Sequence, residues 1–373
     1  MPEQGRQHSR QPWRPTRRRL LQAGGLGAVA AAVGGGAYAA TSGPVTPPTA
    51  SADDLIRKQI PGSDITLPAV GLGTFQTFDA LPEPDRAQRA EVLRRFWEAG
   101  GRVVDTSPLY GLSEENIARY AVPANIQNEL FITNKIWATG EHLWDESHAT
   151  RSLENSMRRL SRTAPLNVMQ CHTLVNVEII VPILHAWKAE GRIQRLGVTH
   201  HDPAYYGPLA YWVETGDVDF VQARYSIAER AAEQRILPAA ADRGVAVMVN
   251  MPLEKGRLHQ LVADRPLPGF AAELGIRSWS QYFLKWVISH PAVTVVLPAT
   301  SIPDHLTDNM QACRGPLPDA AMRARMVEHM QTIPGFDRVT GQPWYPGKTY
   351  PGVVNRAMAA VRARSSWRPS GFV

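Results

Sequence analysis

Residues 86–105 read RAQRAEVLRRFWEAGGRVVD. The first part, Arg86–Ala99, interleaves an Arg/Glu face with apolar residues, as an amphipathic helix does. Gly101 then marks a helix end. Arg102–Asp105 is a short apolar run that stops on a carboxylate. Helix, glycine, buried strand and a polar residue at the strand's end form one αβ unit. The recurrence of that unit decides the fold.

Strand-like runs are predicted at Ala69–Gly73, Arg102–Asp105, Leu130–Lys135, Asn167–His172, Gln194–Thr199, Asp219–Ala223, Ala246–Met251 and Thr294–Pro298. Rich in apolar residues and poor in charge, they read as parallel strands covered on both faces. Helix-like segments lie between them, among them Glu146–Leu160, Ile179–Glu190, Glu229–Arg243 and Ser278–His290, with Gly191 and Gly244 as further helix ends. Eight such strands predict an α/β chain of the (β/α)8 TIM-barrel class over residues 55–335. Leu55–Leu67, with the turn Pro61-Gly62-Ser63-Asp64, is expected to form an N-terminal hairpin. A doubly wound dinucleotide sheet would carry G-x-G-x-x-G after its first strand. Here that strand runs into Gly71-Leu72-Gly73-Thr74 with no helix at once.

Charge is divided along the chain. The 373 residues carry a formal +6. Residues 1–40 contribute +5 and residues 336–373 another +5, which leaves −4 on the body. A mildly acidic body argues against a nucleic-acid enzyme, which needs a basic folded surface. Cys171 and Cys313 have no CxxC spacing, so no metal site is expected. A disulfide between them is left open, and Cys171 also reads as a buried thiol.

The amino terminus reads as a secretory signal. Basic Thr-Arg-Arg-Arg-Leu-Leu-Gln at 16–22 precedes an Ala/Gly-rich apolar run from Ala23 to Ala40, and Ala37-Tyr38-Ala39 supplies the cleavage pattern. Arg17-Arg18 resembles a twin-arginine signal, which implies the Tat export machinery as a partner. Residues 1–40 are therefore expected to direct export to the periplasm or another extracytoplasmic site, with membrane tethering if they are retained. Residues 41–54 read as a linker. Residues 336–373 form a C-terminal extension with Trp344, Tyr345, Tyr350 and Trp367 among Pro, Gly and Arg. It is expected to cover the barrel rim, rest peripherally on anionic lipid, or extend over the surface.

Barrel enzymes carry their chemistry where the strands end. Asp105, Lys135 and His172 fall at three successive strand ends, and Tyr110 lies in the loop after the first. The run Asp105-Thr-Ser-Pro-Leu-Tyr110-Gly-Leu-Ser-Glu114 resembles the D-T-x-x-x-Y-G-x-x-E signature of the aldo-keto reductase superfamily. Phe131–Lys135, Val168–His172 and Gly197–His200 resemble its lysine strand, histidine strand and G-x-S-N segment, and the resemblance spans Ile65 to Met330. It implies an NAD(P)-dependent oxidoreductase that interconverts an aldehyde or ketone and an alcohol. Tyr110 would be the acid/base, Lys135 its charge partner, Asp105 the group that fixes Lys135, and His172 the donor that orients substrate oxygen.

The same resemblance implies a nucleotide held by Thr74, Thr199, His200, Gln222, Asn250, Leu253, Lys255, Thr300, His305 and Asn309. His200 replaces an Asn, and Asn250 replaces a Tyr that stacks on the nicotinamide. NADP is placed ahead of NAD by family habit, although Ala299 and His305 stand where NADP users carry cations. Phe75 and Trp137 are expected to wall the substrate pocket. Two other readings stay open: a non-catalytic nucleotide-binding sensor or regulatory subunit on the same fold, and a lyase or hydrolase on an unrelated barrel.

Overall fold

Short apolar runs pair in parallel through one sheet of eight strands, β3 (Leu72–Gly73), β4 (Val103–Asp105), β5 (Phe131–Ile136), β6 (Val168–His172), β7 (Leu196–His200), β8 (Phe220–Arg224), β9 (Ala246–Asn250) and β10 (Val293–Val296). The structure, a computed structural model, describes residues 54–140, 145–341 and 352–353. The expected export signal, almost all of the linker and most of the C-terminal extension lie outside the described residues. Bridges Val70 to Val296 and Gly73 to Ala299 join the first strand to the last and close the barrel. Gly71 N donates to Val296 O at 2.8 Å and Gly73 N to Pro298 O at 3.0 Å.

The expected hairpin forms from β1 (Arg57–Gln59) and β2 (Thr66–Pro68), paired antiparallel. Its Ile60 and Leu67 cluster with Val103, Phe131, Val168, Phe220 and Ala246. Those five are first residues of barrel strands, so the hairpin plugs the N-terminal mouth. The opposite, C-terminal rim is left for chemistry.

Helices α1 (Glu83–Glu98), α2 (Ser113–Ala121), α3 (Ser147–Arg159), α4 (Val177–Ala189), α5 (Tyr206–Thr215), α6 (Ile236–Arg243), α7 (Arg257–Leu261), α8 (Trp279–Ile288), α9 (Pro303–Gln311) and α10 (Ala320–Gln331) complete the fold. Most of the apolar core lies in a second cluster that helices and strands share. The segment expected as one helix over 229–243 is broken into a 3-10 turn at Ala231–Gln234 and α6. Pro238 accounts for the break: it has no N–H and tolerates only the first turn of a helix. At the end of α1 the left-handed residue is Gly100, with φ +89°, rather than Gly101. Gly101 is required for space, since a Cβ there would lie 2.2 Å from the Phe96 ring.

Cys171 and Cys313 are both buried free thiols. Among the described residues no helix is long and apolar enough to cross a membrane.

Candidate active site

Four side chains from three strand ends and one loop meet at the C-terminal rim. Lys135, on β5, is buried and donates to Asp105 Oδ1 at 2.7 Å and to the Thr106 carbonyl at 2.8 Å. Its ammonium lies 5.0 Å from the centroid of the Tyr110 ring. His172, at the end of β6, meets that ring edge-on at 5.9 Å. Period-two alternation explains the convergence, because Asp105, Lys135 and His172 all turn toward the barrel interior.

The loop that carries Tyr110 is tied down on both sides. Leu112 N donates to Asp79 Oδ1 at 3.1 Å, and Ser113 Oγ donates to the Tyr110 carbonyl at 2.8 Å. Gly111 has φ +64°, and a Cβ there would lie 2.2 Å from the Asp79 carboxylate. Val353 N, from the C-terminal extension, also donates to Asp79 Oδ1 at 3.1 Å.

Burial disfavours charge at this rim. It pulls Lys135 below the ordinary lysine value, and Asp105 opposes it. His172 is pushed down to about 3 by burial, then by Lys135, His201 and His200. It is neutral at pH 7. Ser107 Oγ lies 3.3 Å from His172 Nδ1 and accepts from Leu109 N at 3.2 Å. Ser107 Oγ and His172 Nδ1 are thus within hydrogen-bonding distance, with the donor set by the imidazole tautomer.

The expected cofactor residues are spread over several strand ends and loops. Gln222, Thr199 and Asn250 form one network: Gln222 Oε1 accepts from Thr199 Oγ1 at 3.3 Å and from Asn250 Nδ2 at 3.4 Å. Thr74 joins the tetrad from the other side, donating to the Asp105 carbonyl at 2.8 Å. His200 stacks on Tyr205 at 4.1 Å, and its Nδ1 accepts from Asp202 N at 3.0 Å. Leu253 and Lys255 lie in the loop after β9. Thr300, His305 and Asn309 lie where the chain leaves β10 and enters α9, at the same end of the barrel. Thr300 Oγ1 accepts from Ile302 N at 3.0 Å, His305 is exposed and Asn309 is buried.

Phe75 packs against Tyr110 with ring centroids 4.9 Å apart and remains 39% exposed. Trp137 is 47% exposed and borders a cavity of about 160 Å³ with Ser107, Leu109, Lys135 and His148. Both aromatic side chains thus stand beside the tetrad.

Three features were missed in the sequence. Ser107 lies in the loop after β4 and carries no signal of its own in the sequence. Thr133 donates to Asp105 Oδ1 at 2.6 Å, and its signal was its place two residues before Lys135 on one strand face. Glu254 is buried between Arg224 and Arg257, accepting from Arg224 Nε at 3.0 Å, Arg257 Nη2 at 2.8 Å and Ser226 Oγ at 2.8 Å. Among the described residues no cluster of His, Cys, Asp and Glu has the makings of a metal site.

The chain is 22% identical over 315 residues to the NADH-specific methylglyoxal reductase of Escherichia coli, covering 70% of this chain and 95% of that one. It is 27% identical over 246 residues to the methylglyoxal reductase YeaE of Escherichia coli, covering 64% and 83%. An aldo/keto reductase from Klebsiella pneumoniae, solved with NADP and acetate, shares the fold with a TM-score of 0.60 at 24% identity, over 75% of this chain and 95% of that one. Residues 69–326 match the Aldo/keto reductase family, and the chain belongs to that family.

Proposed function

We propose that the protein is a nicotinamide-dependent oxidoreductase that reduces an aldehyde or ketone to the alcohol, or runs the reverse oxidation. The buried Lys135–Asp105 pair, set against the ring of Tyr110, carries this reading. A free tyrosine has a pKa of about 10 and keeps its proton at neutral pH. Tyr110 is the acid because Lys135 supplies positive charge where the phenolate develops. In this reading Ser107 donates to Nδ1 of neutral His172, whose Nε2–H orients the carbonyl oxygen without competing for the proton. The nucleotide, when bound, supplies the hydride that the carbonyl carbon takes up, while the oxygen takes the proton of Tyr110.

The residues fit such a nucleotide. Asn250 Oδ1 is a buried acceptor without a hydrogen-bond partner among the described residues, suited to a carboxamide N–H. Thr199 and Gln222 stand beside it. Under the loop that bears Leu253 and Lys255, Arg224 and Arg257 outnumber Glu254 by one charge, which suits a pyrophosphate. Lys255 itself is pushed down to about 6 by burial, then by Arg257 and Arg224. A phosphate beside it would restore its charge. Thr74, His200, Thr300, His305 and Asn309 complete the proposed contacts. The nucleotide is NADP or NAD: family habit puts NADP first, while α9 offers His305 and no Lys or Arg. The proposed substrate is a small carbonyl compound held against Phe75 and Trp137, in line with relatives named as methylglyoxal reductases. We also propose, from residues 16–40 alone, that the chain is exported through the Tat machinery.

The test is oxidation of NADPH or NADH by methylglyoxal, followed by absorbance. Tyr110→Phe is expected to lose at least about 100-fold in turnover while still binding nucleotide. Parental turnover by Tyr110→Phe would overturn the assignment. Nucleotide binding without turnover in the parent protein would instead make it a binding subunit.

A further inference from the structure

Asp105 Oδ1 accepts three hydrogen bonds: from Lys135 Nζ at 2.7 Å, from Thr133 Oγ1 at 2.6 Å and from Gln222 Nε2 at 2.8 Å. Only the first comes from a charged group. Thr133 is fixed by β5, where it lies directly opposite Asp105 in the strand register. Its branched side chain has few rotamers, so the hydroxyl is held where the backbone puts it. Gln222 reaches Asp105 across the barrel interior from β8. All four residues are buried.

We propose that Thr133 and Gln222 are positioning residues for the reaction: their neutral donors clamp Asp105 Oδ1 and so hold Lys135 as a cation facing Tyr110. A buried ammonium–carboxylate pair has a competing form in which the proton passes from lysine to aspartate and both become neutral. Burial favours that form. Hydrogen bonds to a carboxylate favour its charged form and oppose the transfer. A neutral Lys135 would give the phenolate of Tyr110 little support. The clamp also links two parts of the site, since the Gln222 amide that donates to Asp105 accepts from Thr199 and Asn250 through its other end.

This inference rests on the reading of Tyr110 as the proton donor, and the experiment separates the two. Ionisation of Tyr110 is read in the cofactor-free full chain by ultraviolet difference titration, with Tyr110→Phe as the subtraction reference. The expected result for Thr133→Val is an upward shift of the Tyr110 midpoint by about one pH unit. Thr133→Ser, which keeps the hydroxyl, is expected to titrate like the parent. Gln222→Met reports the second arm of the clamp and is expected to shift the midpoint in the same direction. In turnover, Thr133→Val should lower kcat about tenfold with the KM for nucleotide unchanged. A folded Thr133→Val protein whose Tyr110 titrates like the parent overturns the clamp. If Thr133→Val does not fold, an unshifted Gln222→Met titration overturns it. Retained turnover in Tyr110→Phe would instead overturn the functional reading, while the titration still reports on the clamp.

Discussion

The ammonium of Lys135 and the carboxylate of Asp105 meet at 2.7 Å inside the barrel, with side-chain exposures of 1% and 7%. Desolvating two such groups costs several kcal/mol each, and their attraction returns that only while both are present. Asp105→Ala is therefore expected to destabilise the fold by about 3–5 kcal/mol, because it strands a buried cation. The double variant Asp105→Leu with Lys135→Met removes both charges and is expected to regain most of that loss. On the proposed role of Tyr110 it should remain inactive, since nothing then supports the phenolate. Urea denaturation at pH 7 measures the first effect and nucleotide oxidation the second. A double variant no more stable than Asp105→Ala would refute the argument.

The histidines at the rim predict acid sensitivity. His172 is pushed down to about 3, chiefly by burial, and His201 to about 4 by burial and then by His200 and Lys255. In the unfolded chain both titrate near about 6.5. Between pH 6.5 and these folded values the unfolded chain holds more protons, so stability falls as pH falls. Each histidine contributes up to about 1.4 kcal/mol per pH unit within that window. The melting temperature is expected to drop between pH 7 and pH 5, and His201→Gln to flatten the drop. Parallel pH curves for parent and variant would remove His201 from the account.

Much of the barrel was legible because its strands are written as apolar runs that end on polar residues. The run expected at Leu130–Lys135 appears as Phe131–Ile136. Asp105, Lys135 and His172 stood out as polar strand ends, whereas Tyr110 in the loop and the roles of all four came from the family resemblance. The break before α6 was hidden by continuous charged and apolar spacing over 229–243, which Pro238 overrides. Thr133 was visible by periodicity, yet a threonine in a strand has an ordinary reading as a β-former. The pairing of Glu254 with Arg224 was not legible at all. Arg224 lies 30 residues away, and only the path of the chain from β8 through β9 brings the two together.

Glu254 sets up a last prediction, about the loop after β9. Met251, Glu254, Lys255 and Gly256 have φ of +52°, +49°, +56° and +92°. Left-handed backbone at the three non-glycine positions costs of order 1 kcal/mol or more each. The hydrogen bonds of Glu254 to Arg224, Arg257 and Ser226 offset that strain and fix the loop. Glu254→Ala leaves two buried guanidinium groups without their anion and is expected to cost about 3–5 kcal/mol. Glu254→Gln keeps an acceptor but no charge, and should cost less. Both variants should weaken NADP or NAD binding more than they alter the intrinsic reactivity at Tyr110, because Glu254 is bonded to Arg224, Arg257 and Ser226 and not to Asp105 or Lys135. Denaturation midpoints and nucleotide titrations by protein fluorescence test the two effects separately. Unchanged nucleotide affinity in a folded Glu254→Gln protein would detach this loop from the nucleotide site.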